Sequence, residues 1–181
     1  ASDRFVMEAL PDAEEMLVFS QMMFFMDGQR LSELVDASIY DKTKSILSAY
    51  HIGPDAVSVM KPWAAFLLMN YPPDAGEILD LVLLSLAQQK GAAVAGLETM
   101  QEQAQIFSDL NIDEQVKLLT DTVCHYDVVE EDFVAMKSFY LARDLGGLYN
   151  YTQRFSMSQQ PIYEKLMTKL VGNRNKNMAE R

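Results

Sequence analysis

Apolar and polar residues follow one another along most of the chain with the spacing of amphipathic helices. Gly28, Gly91 and the Gly146-Gly147 pair supply stop signals, and Thr99 and Asn111 each stand three residues before a glutamate, as in a capping box. The pattern predicts helices over residues 12–27, 32–50, 54–60, 62–70, 74–90, 99–109, 111–144 with a break near His125, and from Pro161 toward the end.

Two short apolar runs do not follow the helical period. Residues 3–9 and 92–98 are compatible with buried β-strands, and the second lies between helices 74–90 and 99–109. The fold class predicted is α/β, mostly α, with a few short, parallel strands and a helical cap built from 12–70 and 111–170. The 181 residues, 49% of them hydrophobic, suffice for one core, so residues 1–181 are predicted to form a single domain.

The charge of the chain excludes some partners. A net charge of −11 repels phosphates, so nucleic acids and anionic lipid surfaces are not expected to bind. The apolar segment Met16–Met26 is interrupted by polar residues and is too short to span a bilayer, so no integral membrane segment is expected. This methionine-rich segment is interpreted as buried core, with a groove for a protein partner as the alternative.

Cys124 is the only cysteine, which excludes an intrachain disulfide and a cysteine-rich zinc site. Its apolar neighbours suggest a small buried side chain. His51 and His125 are the only histidines, and neither stands at a recognised metal-ligand spacing, so both are interpreted as structural. The chain has no serine-hydrolase elbow, P-loop, dinucleotide fingerprint or zincin helix.

Both predicted strands end in a glutamate, Glu8 and Glu98. Functional groups collect at the carboxyl ends of parallel strands, and neighbouring strands lie ~5 Å apart. Glu8 and Glu98 are therefore candidate ligands of one shared cation, such as a divalent metal ion. The alternative for Glu98 is that it only begins the next helix, where the helix dipole favours a carboxylate.

Arg174 lies within an apolar stripe of the last predicted helix, in which an unpaired guanidinium would be costly. An inward arginine requires a carboxylate or phosphate partner. We therefore expect Arg174 to be substantially buried and within reach of Glu8 or Glu98. The alternative is a side chain that extends along the stripe and leaves its charge in water.

Several short segments follow one another along nearly the whole chain: Arg4-Phe-Val-Met-Glu8, Gly28-Gln-Arg-Leu-Ser-Glu-Leu-Val35 with Ile39-Tyr40, Lys61-Pro62-Trp63, Leu79-Asp80 before an apolar helix, Gly96-Leu-Glu-Thr99 with Glu102-Gln103, and Arg174-Asn175. Their ordered succession resembles the TraB/GumN family. This resemblance implies a fold related to the erythromycin-esterase and ChaN-like group, and animal TIKI proteins, similar to this group, are metal-dependent peptidases.

What the resemblance implies for chemistry is a metal-dependent hydrolase, with peptidase among the options and a peptide or protein as substrate. Glu8 would be a metal ligand or general base, and Arg174 an orienting or oxyanion-stabilising partner. The family's two G-x-x-H motifs are expected outside residues 1–181, and Ala1 in place of Met indicates a processed or truncated chain. A divalent metal ion, Mn, Co or Zn, is a candidate cofactor, and none is required by this chain alone.

A non-catalytic protein-interaction module with an acidic helical surface is the competing hypothesis. A homo-oligomer remains open. The resemblance also favours a bacterial source, and the cell envelope or periplasm over the cytoplasm.

Overall fold

The computed structural model describes residues 3–71, 76–154 and 161–180, apart from the side chains of Glu130 and Asn173. Its elements in chain order are β1 (Arg4–Ala9), α1 (Ala13–Met22), a 3-10 turn (Leu31–Glu33), α2 (Ala37–Ser48), α3 (Pro54–Val59), α4 (Pro62–Met69), α5 (Leu79–Gln89), β2 (Ala93–Glu98), α6 (Met100–Ser108), α7 (Ile112–Cys124), α8 (Tyr126–Leu141), α9 (Leu145–Thr152), α10 (Pro161–Met167), a π-helical segment (Thr168–Asn173) and α11 (Arg174–Ala179). The predicted class, mostly helical α/β, is confirmed.

The strands β1 and β2 pair in parallel, as predicted. The register runs from Arg4 opposite Ala93 to Ala9 opposite Glu98, so both carboxyl ends lie at one edge of the sheet. A Cβ atom at Gly96 would come within 3.0 Å of the backbone nitrogen of Leu10, so the close passage of the chain after β1 requires glycine there.

The core is helical and aromatic. Trp63 of α4 is fully buried, and its ring stacks on that of Phe107 from α6 with centroids 5.8 Å apart. Helix α4 is strongly apolar, with six of its eight residues buried, and it packs along α7, which contributes the fully buried Leu118 and Leu119. The lysine-proline-tryptophan turn therefore starts the central helix of the core.

Two helices begin where the capping signals predict. The Thr99 side chain accepts a hydrogen bond from the backbone of Glu102, whose carboxylate accepts one from the backbone of Thr99. Asn111 and Glu114 make the same reciprocal pair at the start of α7. These caps satisfy backbone N–H groups that have no partner within the helix.

Helix α1 is shorter and more exposed than predicted. It ends at Met22 rather than near 27 and has no fully buried residue; Leu17 is 58% exposed. The helix ends there because the chain turns to pair with the segment before α4: Phe25 donates to the carbonyl of Val59, and Lys61 donates to the carbonyl of Met23. This nonlocal pairing overrides the local helical pattern, so the expectation of a largely buried segment is wrong.

Three further expectations need correction. The Gly146-Gly147 pair does not end a helix but lies in the first turn of α9, because Asp144 caps that turn by accepting from the Gly147 backbone. Cys124 is exposed rather than buried; it is the last residue of α7, next to His125, which separates α7 from α8. Helix α5 begins at Leu79, and residues 76–78 before it are not helical; the predicted start at residue 74 lies outside the described residues.

The last helical region is continuous but not regular. Between α10 and α11 the Thr168–Asn173 segment has π-helical hydrogen bonding, and the backbone of Arg174 donates to the carbonyl of Lys169, five residues earlier. The sequence pattern does not predict this segment. Across 3–71, 76–154 and 161–180, no helix combines the length and apolar character needed to cross a membrane.

Candidate functional site

The two strand-end glutamates meet at the carboxyl edge of the sheet. Glu98 lies opposite Ala9 rather than opposite Glu8, so the two carboxylates are offset by one position in the register. In a regular pleat that offset directs them to opposite faces. Glu8 and Glu98 can nevertheless contact the same side chain, because both stand at the ends of their strands and a third residue can lie across the sheet edge between them.

That partner is Arg174, the first residue of α11. Its Nε donates to Oε1 of Glu98 at 2.6 Å, and its Nη2 donates to Oε2 of Glu8 at 2.5 Å and also contacts Oε1 of Glu98. The predicted contact between Arg174 and the strand-end glutamates is confirmed. The cation that the two carboxylates share in this structure is a guanidinium.

The two glutamates differ in their exposure. The side chain of Glu98 is 7% exposed and that of Arg174 is 17% exposed, whereas that of Glu8 is 59% exposed. The hydrogen bond to Glu98, followed by that to Glu8, raises the pKa of Arg174 above its ordinary value, although burial acts in the opposite direction. The guanidinium of Arg174 therefore stays charged at neutral pH.

A fourth residue supports the site. Gln103 of α6 donates from Nε2 to Oε1 of Glu98 at 2.6 Å, so this oxygen accepts from both a guanidinium and an amide. The capping box that starts α6 sets the direction of this helix, and the backbone of Met100 also donates to Glu15 of α1 at 2.8 Å. The sequence resemblance includes Gln103 but gives it no role. Gln103 stands five residues after Glu98, in the first turns of a capped helix, and that position could have predicted its contact with Glu98.

The predicted metal does not fit this arrangement. Oε1 of Glu98 is already occupied by two donors, and the positive charge of Arg174 lies between the carboxylates where a metal ion would sit. Within the part of the chain that the structure describes, no group of three or more histidine, cysteine, aspartate or glutamate side chains is arranged to hold a metal ion. The metal-ligand role of Glu8 and Glu98 stays a prediction that requires Arg174 to move.

The histidines have local roles. His125 lies between α7 and α8, and its Nδ1 lies 2.8 Å from the carbonyl oxygen of Asp121. His51 follows α2 with a φ of 60°, in the left-handed region. Both lie at helix ends, as predicted.

A cavity of about 310 Å³ lies beside the buried half of the site. Glu98 and Arg174 form part of its wall, and α6 and the π-helical segment form most of the rest through Glu102, Ile106 and Lys169. A small molecule in this cavity would therefore contact the guanidinium that also contacts Glu8.

Comparison with known proteins identifies the family but no individual relative. Neither the curated proteins nor the solved structures gave a match to this chain. The profile of one family matches from the first residue to the last. The chain, residues 1–181, therefore belongs to the TraB/PrgY/gumN family.

Proposed function

We propose that this chain carries part of the catalytic site of a hydrolase that acts on peptide bonds, with Glu8 as general base and Arg174 as its orienting partner. The observation that carries the proposal is the bridge that Arg174 makes between an exposed and a buried strand-end carboxylate. Such unequal environments are how paired carboxylates acquire different roles.

Glu8 has the properties required of the base. Its Oε2 is held by Arg174, and its Oε1 has no partner among the described residues, so one oxygen is fixed while the other is open to water. A general base must reach the proton it removes within hydrogen-bond distance, which an oriented and exposed carboxylate allows. The reaction requires Glu8 to take a proton from water as the water attacks the peptide carbonyl.

Glu98 is assigned a positioning role. It is buried and accepts hydrogen bonds from both Arg174 and Gln103, so it fixes the plane of the guanidinium. Arg174 then presents Nη2 to Glu8 in one orientation, and Nη1 remains for a substrate oxygen. A bidentate planar donor does this better than a lysine ammonium, which is a point charge on a flexible chain.

A divalent metal, Mn, Co or Zn, stays a prediction drawn from the family resemblance. No step of the reaction is assigned to a metal, because Arg174 occupies the space between the two carboxylates. Location in the bacterial cell envelope or periplasm likewise stays a prediction.

Hydrolysis of quenched-fluorescent peptide libraries by the complete gene product tests the proposal. We expect Glu8→Gln to lower kcat/KM by at least about 100-fold, the usual range for loss of a general base. Glu14→Gln, an exposed carboxylate in the first turn of α1, is the matched control and should leave turnover unchanged. Equal turnover by Glu8→Gln and the unaltered protein would remove Glu8 from the mechanism.

One observation favours the interaction module as a second candidate. Helices α8 and α9 expose large apolar side chains that are 66–70% accessible: Val134, Tyr140, Leu141, Leu145 and Tyr149. Exposed apolar clusters of this kind mark protein contacts, including contacts between copies of one chain. Sedimentation of the unaltered protein and of Leu141→Asp tests self-association; a monomer in both cases would contradict a homo-oligomer formed through this surface.

A further inference from the structure

Charged residues of both signs line the cavity beside Arg174. Lys169 of the π-helical segment and Arg174 at the start of α11 contribute the cations, and the carboxylates are those of Glu98, Glu102 and Asp109. The side chain of Lys169 is 28% exposed, and its Nζ lies 3.6 Å from Asp109, a longer separation than a well-formed ion pair has. Lys169 therefore forms a long ion pair with Asp109, which also lines the cavity.

The π-helical segment explains why the two cationic side chains, Lys169 and Arg174, line the same cavity. In an α-helix, residues five apart point about 140° away from each other, since each residue turns the helix by about 100°. In a π-helix the hydrogen bonds join residues five apart, and the backbone of Arg174 makes this bond to the carbonyl of Lys169. The irregular hydrogen bonding thus brings the two side chains to the same cavity.

Arg174 keeps donors for a ligand. Among the described residues, its partners are Glu8 and Glu98, through Nε and Nη2, which leaves both N–H groups of Nη1. A guanidinium with free N–H groups and a nearby ammonium is suited to a carboxylate group, which accepts several charge-assisted hydrogen bonds.

We propose that this cavity is a subsite for the C-terminal carboxylate of a short peptide, held between Arg174 and Lys169. Ile106 and Met178, which also line the cavity, would contact the terminal side chain, and the three lining carboxylates disfavour a ligand that carries a second negative charge. The inference rests on the proposed function and narrows it: a carboxylate held next to Glu8 selects removal of residues from the C-terminal end of a peptide.

Calorimetry with two probes tests the subsite without turnover. The probes are N-acetyl-leucyl-alanine and its C-terminal amide, titrated into the complete protein carrying Glu8→Gln. We expect the free acid to bind at least about tenfold more tightly than the amide. In a Lys169→Met background the preference should fall below about threefold, whereas Lys176→Met removes an exposed lysine of α11 outside the cavity and should retain it.

Deletion of Gly172 provides a second variant. Gly172 lies inside the π-helical segment, and a Cβ atom there would meet nothing within 4 Å, so loss of this residue removes no packing. The deletion would leave Lys169 and Arg174 four residues apart, and residues four apart lie on the same face of a regular α-helix. Circular dichroism confirms folding, and we expect the preference for the acid to be retained; its loss in a folded protein would contradict the pairing of Lys169 with Arg174 in the subsite.

Equal binding of acid and amide, or a full preference in Lys169→Met, overturns the subsite. These outcomes are separable from failure of the proposed function. Hydrolysis of amidated and free peptides at equal rates leaves the function standing and removes the subsite. Carboxylate-dependent binding by a protein that hydrolyses no peptide keeps the subsite and removes the catalytic role.

Discussion

The helical core and the carboxyl edge of the sheet are held together by different forces. In the core, Trp63 and Phe107 stack, and the leucines of α7 have no exposed surface. At the sheet edge, two strands of six residues end in carboxylates, and a single guanidinium crosses between them. Removal of apolar surface from water stabilises the first region, and charge-assisted hydrogen bonds organise the second.

The difference suggests that stability and chemistry are separated within one chain. Buried apolar contacts contribute most of the free energy of folding, whereas an ion pair gains little over its desolvation cost. A site built from ion pairs can be altered without unfolding the protein. The variants below should therefore divide into those that change stability and those that change only the site.

The largest effect is expected in the core. Leu118→Ala removes a fully buried side chain next to α4 and should lower the free energy of unfolding by about 2–5 kcal/mol, because it leaves a cavity. Leu141→Ala makes the same chemical change at a position that is 70% exposed and should cost less than about 0.5 kcal/mol. Urea unfolding measures both, and similar losses would show that the core is not where the structure places it.

A double-mutant cycle compares the two ion pairs at the sheet edge. The coupling between Arg174 and Glu98 should be about 1–3 kcal/mol, since both are largely buried, and that between Arg174 and Glu8 below about 1 kcal/mol, since Glu8 is exposed. Arg174→Met alone should cost about 1 kcal/mol, because Glu98 keeps Gln103 and borders a cavity. Couplings of equal size would contradict the unequal environments on which the proposed roles depend.

Alkaline pH should affect the core through Tyr163. Burial raises the pKa of Tyr163 from 10.0 to about 12. Because the pKa is raised in the folded state, the neutral Tyr163 ring stabilises the fold fully below pH 10. That stabilisation is lost as the pH rises through about 12. Between pH 9 and pH 11, the unaltered protein should lose about 1 kcal/mol relative to Tyr163→Phe. Urea midpoints at the two pH values give the difference, and parallel behaviour of the two proteins would contradict the burial of this ring.

The smallest effect is expected from added metal. Calorimetry of residues 1–181 with manganese, cobalt and zinc should show dissociation constants weaker than micromolar, because Arg174 occupies the carboxylate pair and no hydrogen bond among the described residues joins a histidine to either carboxylate. Tighter binding would mean that His51 or His125 belongs to a metal site that the described arrangement does not show.

The local elements of the fold were predictable because their signals are short-range. The capping boxes at Thr99 and Asn111 act within one helical turn, and the strands 4–9 and 93–98 lie within the apolar runs that predicted them. The parallel pairing and the approach of Arg174 to the two glutamates also followed from the sequence. A buried cation needs an anion, and strand ends gather at one edge.

The remaining features depend on nonlocal contacts. Helix α1 ends early because the chain pairs with residues 59–61, which no local pattern shows. The π-helical segment before Arg174 depends on where the end of the chain packs, and the apolar stripe with helical period indicated only a regular helix. The sequence predicted a contact from Arg174 to Glu8 or Glu98, but it did not show that one guanidinium would bridge both carboxylates and take the place of a metal ion between them.

The most direct test of the catalytic site is the turnover of peptide substrates by the complete gene product with Arg174→Met, compared with Arg174→Lys and the control Lys176→Met. If Arg174 orients Glu8, the methionine variant should lose at least about 100-fold in kcat/KM while remaining folded, the lysine variant should not recover it, and the control should retain full turnover. Undiminished hydrolysis by a folded Arg174→Met protein would contradict the role of the arginine bridge.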